Sequence, residues 1–432
     1  MSKLLIKNGL VIDPAASLEE PRDVLLNGAL IEAVERPGAI PESAATEVLN
    51  ASGMWITPGF IDLHVHLREP GFEWKETIES GSRAAALGGF TTVCCMPNTK
   101  PVNHNAEITR FILEQGRRAG ACRVLPIGSV SVGLKGEEMS PLSELWAAGC
   151  VAFSDDGEPV WDSGLMRRAL EWAKMLGARI SCHEEDKKLS CGGCMNESAL
   201  SYRMGLNGMP KVAEDVMVAR DIELARATSS KVHICHLSSA RSVELVRRAK
   251  HDGIDVSAEV TPHHLLLTEE TVGDYDTNAK MSPPLREQED VEALRAGIKD
   301  GTIDAIASDH APHEQDSKLV EFSKASFGIL GLQTNLPLTL ELVRNGTISR
   351  MRAIELWTRG PAKAFGLERG TLRCGAPADL SIINPDYHWT LSKELIASKS
   401  FNTPFMGRAL SGIAETVIVE GQVVVKAHKL SR

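Results

Sequence analysis

The chain has 432 residues, 43% of them hydrophobic and 24% charged, and a formal net charge of -10. That length buries a large core and can hold more than one domain. The acidic balance, with no basic tract to offset it, argues against nucleic acid or an anionic membrane surface as a partner. No run reaches the roughly 18 apolar residues of a membrane span. The N-terminal "MSKLLIKNGLVIDP" shows no apolar stretch of the secretory kind. Nine cysteines are an odd number without a disulfide framework, which fits free thiols in a reducing cytoplasm. "CGGC" (Cys191 and Cys194) has half the spacing of a zinc ribbon and no second pair nearby, so it reads as loop thiols.

Residues 1–55 contain "KLLIKNGLVIDP", "DVLLNGALIEAVE" and "ATEVLNASGMWI", short strands with Gly/Asn turns and no helix. From Gly59 another rhythm begins, in which a β-rich run ends in a polar residue and an amphipathic helix follows. The strand candidates are "GFIDLHVH", "FTTVCCMP", "CRVLPIGS", "CVAFSD", "ARISCHE", "KVHICHL", "IDVSAEV" and "IDAIASD". Between them lie helical patterns such as "NAEITRFILEQGRRAG", "SGLMRRALEWAKMLG" and "SARSVELVRRAKHDG", several closing on Gly. The strands are mostly continuous apolar runs, as a parallel sheet covered on both faces requires. The pattern predicts an α/β fold, a (β/α)8 TIM barrel over residues 56–370. From residue 371 the strand-rich style returns in "PADLSIINP" and "ETVIVEGQVVV". Residues 1–55 and 371–432 are therefore expected to form one small β-sandwich domain built from both termini.

The chemistry of such a barrel sits at the C-terminal ends of its strands. In "PGFIDLHVHLREPG", His64, His66 and Arg68 are two residues apart, so an extended strand puts them on one face and the aliphatic residues on the other. Other strand ends carry Asn98, Asp155 and Asp156, His183, His236 and Asp309. Four histidines and two aspartates exceed the needs of one tetrahedral ion and point to a two-metal centre with a bridging carboxylate. Nitrogen and oxygen donors without thiolate suit zinc. Alternation allows either Asp155 or Asp156 as the bridge. His263 and His264 read as structural, His233 as core, and Cys94 and Cys95 as small buried hydrophobes. The segment after His313, "EQDSKLVEFSKASFGILG", reads as a loop over the site.

Taken together, "PGFIDLHVHLREPG", "GGFTTVCCMPNTKP", "AFSDDG", "CHEED", "HICHLSS", "EVTPHHL" and "IASDHAPHE" resemble the dihydroorotases, in the bacterial class I form, of the amidohydrolase superfamily. The resemblance spans nearly the whole chain. It implies reversible cyclisation of N-carbamoyl-L-aspartate to (S)-dihydroorotate plus water, a step of pyrimidine biosynthesis, on two zinc ions per subunit. His64, His66 and Asp309 would hold one zinc and His183 and His236 the other, with Asp156 bridging and Asp309 as proton shuttle. His66, Arg68, Asn98, Ser282 and His313 would bind substrate, with backbone contacts from Phe327 and Gly328. A cytoplasmic homodimer is implied, as is association with aspartate carbamoyltransferase.

Hydantoinases and allantoinases, the nearest alternative, use a carboxylated lysine that "CVAFSDDGEPV" does not contain. Arg68 separates the readings too, because a carboxylate anchor is wasted on a neutral ring. A non-catalytic partner of the transferase is a third reading, and the unaltered ligand set argues against it. The chain departs from the family pattern at Ser282, Ser326 and Gln333, which bears on substrate affinity more than on metal binding.

Overall fold

The structure is a computed structural model and describes residues 3–431. Eight parallel segments follow one another in chain order and return to the first. Phe60–Val65 pairs with Phe90–Cys95, which pairs with Arg123–Pro126. Gly128 bridges to Phe153, and Phe153 to Ile180 at the start of Ile180–Cys182. Val232–Ile234, Val256–Val260 and Ala305–Ile306 continue the series. A parallel bridge from His310 to Val65 completes the ring. The fourth expected strand is reduced to the bridging residue Phe153, kept in place by Val151 N to Pro126 O (3.1 Å) and Ser154 N to Gly128 O (2.8 Å).

The helices between these segments form where their caps allow. Asn105 accepts from the N–H groups of Glu107 and Ile108 to start Ala106–Ala119, which ends at Gly120 with φ 66°. Asp162 and Gly177 bound Ser163–Leu176 in the same way, and Ser239 caps Ala240–His251. Each cap satisfies donors that a helix end leaves bare. Along the first strand Ile61, Leu63, Val65 and Leu67 all enter apolar clusters, as the alternation predicts.

The seam between the last and first segments is polar. The buried Asp62 carboxylate accepts from Ser308 N and from His64 N, both at 3.1 Å. Burial pushes this acid up to about 7, against the opposing pull of those hydrogen bonds. Beyond it, His66 N donates to His310 O at 2.9 Å. Two backbone ties therefore set the histidine-bearing strand end against the segment that carries Asp309.

The termini join in one nine-stranded sheet. Trp55–Pro58 runs parallel to Lys3–Asp13 and antiparallel to Leu380–Thr390, so it stitches the two ends of the chain together. Hydrogen bonding is continuous across all nine strands. Its apolar cluster draws on both termini, with Ile6, Val24 and Leu26 against Leu380, Ile382 and Ile418. Among the described residues no helix is long and apolar enough to cross a membrane, and all nine cysteines are free.

Asp379 ties this sheet to the ring. It accepts from Arg123 Nη1 (3.1 Å), Arg369 Nη1 (2.6 Å) and Glu420 N (2.8 Å). Asp379→Ala leaves Arg369 without its anion and Arg123 with only the exposed Glu420. Because both arginines keep some solvent contact, the expected loss is about 2 kcal/mol, below the ~3–5 of a wholly buried pair. A shift of the urea midpoint at unchanged slope measures it.

Candidate active site

A cavity of about 630 Å³ opens at the ends of the ring segments. It is lined by His66, Arg68, Asn98, Asp156, His183, His236, Ser282, Asp309, His313 and Phe327. His64 lies fully buried beside it, its Nε2 3.2 Å from Asp156 Oδ1 and 3.5 Å from Asp309 Oδ1. All four histidines and both aspartates of the predicted ligand set thus converge. Two triads place donor atoms close enough to hold a metal ion, His64 with Asp156 and His236, and His64 with His66 and Asp309.

The ring protons explain the geometry. Glu259 Oε1 lies 2.8 Å from His64 Nδ1, and a carboxylate can only accept, so Nδ1 carries a proton and a neutral ring keeps its lone pair on Nε2. Asn98 Oδ1 lies 2.9 Å from His66 Nδ1 while its amide nitrogen faces the Asp156 carboxylate at 3.4 Å. That orientation makes Asn98 the acceptor, and His66 Nε2 turns its lone pair to Asp309 Oδ1 at 3.0 Å. His183 has a carboxylate on each side, and against the effect of burial Asp156 and Glu185 raise its ring to about 9. Glu185 takes its Nε2 side at 3.2 Å, and Nδ1 faces Asp156 Oδ1 at 3.5 Å and His236 Nε2 at 3.0 Å. His64 Nε2 and Asp156 Oδ1 are buried with no hydrogen-bond partner.

The choice between the two adjacent aspartates is visible here. Asp155 turns away and accepts from Val130 N (2.8 Å) and Ser131 N (3.0 Å), holding the loop after the third strand. Burial raises it to about 6 even so. Asp156 alone faces the histidines. Cys235 also lies within metal-binding distance of His64 and Glu259, but burial pushes its thiol up to about 12 and leaves it protonated.

Three of these residues hold left-handed backbone: Arg68 at φ 62°, His236 at 28° and Asp309 at 44°. Such positions cost about 1–3 kcal/mol each in non-glycine residues and cluster where function fixes a side chain. Arg68 therefore reaches the cavity through a turn, not by continuing the strand alternation, because the regular strand ends at Val65.

Arg68 Nη2 lies 3.3 Å from His313 Nε2, and Lys75 Nζ lies 3.3 Å from His313 Nδ1. Burial, with the charges of Arg68, Lys75 and Lys318, holds His313 far below the usual imidazole range, so it stays neutral. Burial also lowers Arg68 to about 10, which keeps it charged at neutral pH. Gly328 has no backbone group to spare. Its N–H donates to Lys280 O (2.9 Å), and its carbonyl accepts from Lys318 Nζ (3.1 Å) and Asn402 Nδ2 (3.0 Å). At φ 151°, a Cβ there would meet Ala311 O at 2.6 Å, so only glycine fits.

Several contributors escape a reading by strand ends. Glu259 is the one acid within the buried strand "VSAEV", Val256–Val260, which is the one local sign of its role. His233, buried as expected, also holds Glu259 (3.1 Å) and Ser257 Oγ (2.8 Å). Asn402, from the C-terminal segment, binds Ala311 O, Gly328 O and His313 N at 2.9–3.0 Å and has no local signature. Of the departures, Gln333 donates to Leu395 O (2.8 Å) and accepts from Ala397 N (2.7 Å), a pairing that a carboxylate could not complete. His264 is structural, set between Thr261 Oγ1 and Pro283 O with the His263 ring tilted against it.

The sequence of a dihydro-orotase-like family matches residues 53–242, and that of the amidohydrolase family matches 286–425. A dihydroorotase of Pelobacter propionicus is 49% identical over 423 residues, 98% of this chain and 99% of that protein. One of Pelotomaculum thermopropionicum is 51% identical over 425 residues, with the same coverage. Among solved structures, the L-hydantoinase of Arthrobacter aurescens aligns with a TM-score of 0.89 at 25% identity, covering 100% of this chain and 98% of that one. A D-hydantoinase from Thermus sp. aligns at 0.82 and 26%, covering 99% and 96%. With near-complete coverage at about half identity, the chain belongs to the dihydroorotase family.

Proposed function

We propose that the chain catalyses the reversible closure of N-carbamoyl-L-aspartate to (S)-dihydroorotate and water, with two zinc ions at the mouth of a (β/α)8 barrel. Residues 56–370 form the barrel in this reading, and 1–55 with 371–432 the terminal β domain, into whose sheet Trp55–Pro58 extends. The observation that carries the proposal is a buried set of imidazole nitrogens and carboxylates turned towards one another. Glu259, Asn98 and Glu185 hold ring protons of His64, His66 and His183 on the outer side, so neutral rings turn bare nitrogens to carboxylates that have nothing to donate. Such acceptors cost several kcal/mol to bury together unless a proton or a metal cation lies among them, and two carboxylates with four imidazoles match a metal donor set.

The donor set fits the group. His64, His66 and Asp309 would hold one zinc, His183 and His236 the second, and Asp156 both. When bound, ions of this kind acidify a water near neutral pH and polarise a carbonyl. Asp309, fully buried against His66 Nε2, takes the proton of the attacking water and delivers it to the ring nitrogen as the C–N bond breaks. In ring closure it works in reverse. Arg68 grips the substrate carboxylate with a planar two-point fork that a lysine cannot offer. Neutral His313 hydrogen-bonds without adding a further cation. Lys75, paired with Glu314 at 3.6 Å, stands behind His313 and contacts its Nδ1 at 3.3 Å.

A spectrophotometric assay of dihydroorotate hydrolysis, with and without zinc and with hydantoin and allantoin as controls, tests the reading. Zinc-dependent loss of dihydroorotate is expected, with the neutral rings left intact and with turnover abolished in Arg68→Ala. Faster consumption of hydantoin would overturn it. Asp309→Asn is expected to lower kcat about 10²–10⁴-fold, with the second zinc retained by elemental analysis. Glu259→Gln can present an amide N–H to His64 and reverse its tautomer. Zinc affinity should fall about 10–100-fold, read by titrating metal-free protein.

A further inference from the structure

Lys280 and Lys318 are buried lysines whose ammonium groups rest on backbone carbonyls instead of a carboxylate. Lys280 Nζ donates to Phe322 O (2.8 Å) and Ser323 O (3.0 Å) and stands 4.4 Å from the centre of the Phe327 ring. Lys318 Nζ donates to Ser326 O (2.8 Å) and Gly328 O (3.1 Å). Two unneutralised cations under one loop are expensive, and the catalytic reading gives them no task.

The peptide between Ser326 and Phe327 supplies one. It is trans, so its C=O and N–H point in opposite directions within one plane. With the oxygen turned to Lys318, the Phe327 N–H points away from the lysine. Ser326 and Phe327 line the cavity together with Arg68 and His313, whereas Lys318 lies behind them. Neighbouring N–H groups are already used, Ser326 N on Ser317 O (3.0 Å) and Gly328 N on Lys280 O (2.9 Å). The Phe327 N–H has no acceptor among the described residues.

We propose that Lys318 is a positioning residue that acts on the anionic substrate through this peptide, polarising the Ser326 carbonyl and aiming the Phe327 N–H, as a strengthened donor, at a negatively charged oxygen in the cavity. Lys280 fixes the Phe327 ring, so the donor keeps its direction. Positive charge thereby reaches the ligand without a cationic side chain filling the space the ligand needs. Burial and the charge of Lys280 draw the Lys318 amine down to about 7, so an anion at the far end of the peptide favours its charged form. The inference rests on the reading of the cavity as a site for an acidic ring.

The experiment uses zinc-loaded full-length protein at pH 6.5. Turnover of dihydroorotate by the unmodified chain tests the reading, and only the variants test Lys318. In Lys318→Met, which keeps length and removes charge, KM for dihydroorotate and the inhibition constant of orotate should rise at least tenfold. Values of kcat within threefold and unchanged zinc content are expected alongside. Phe327→Pro, which deletes the N–H and leaves Lys318 in place, should produce the same loss, and the double variant no more than either alone. Unchanged KM and orotate inhibition in either single variant, additive losses in the double variant, or a joint fall of kcat and zinc content would each overturn the proposal. If Lys318→Met does not fold, Lys318→Gln, which keeps a hydrogen-bond donor and removes the charge, decides by the same readings.

Discussion

The site depends on where three ring protons sit. An imidazole offers a lone pair on one nitrogen only when the other nitrogen keeps the hydrogen, and here the outer partners Glu259, Asn98 and Glu185 keep it. Each partner comes from a different segment, so the ring must close before the inner nitrogens are directed. Asp62 contributes to that closure by holding Ser308 N and His64 N together. The left-handed residues Arg68, His236 and Asp309 then turn their side chains inward at a conformational cost that the surrounding ring bears. Preorganisation and strain are two aspects of one arrangement.

Much of this is legible from spacing. Apolar runs, polar strand ends and Gly-terminated helices follow from local rules, and the ring contains all eight expected positions. The HxH pair is legible because strand alternation is local. Arg68 is a case where the right destination comes by a different route, since the strand stops before it and a positive φ redirects it. The two adjacent aspartates are beyond any periodic argument. What separates them is Ser131 and Val130, more than twenty residues earlier in the chain, which claim Asp155.

The residues that spacing does not reveal share a physical character. Glu259, Asn402, Lys280 and Lys318 are of ordinary type in ordinary surroundings, and their meaning lies entirely in distant partners. Glu259 serves a histidine 195 positions away, and Asn402 a loop 74 to 91 positions away. Departures from the family pattern are milder than they look for the same reason. Ser326 contributes its carbonyl to Lys318, so the identity of its side chain matters less than the path of its backbone. Gln333 is matched to the peptide groups of Leu395 and Ala397 and sits away from the cavity lining.

The sheet formed by both termini has an effect on how the molecule is made. Lys3–Asp13 waits for Trp55–Pro58, which in turn pairs with Leu380–Thr390, while Asn402 arrives later still to brace the cavity wall. On the ribosome the ring segments emerge long before the strand and the asparagine that finish the edifice. Contacts spanning so much of the chain form slowly, so a nascent chain carries its clustered histidines and aspartates for many seconds, at roughly 5–20 residues per second, before the pocket they line acquires its last wall.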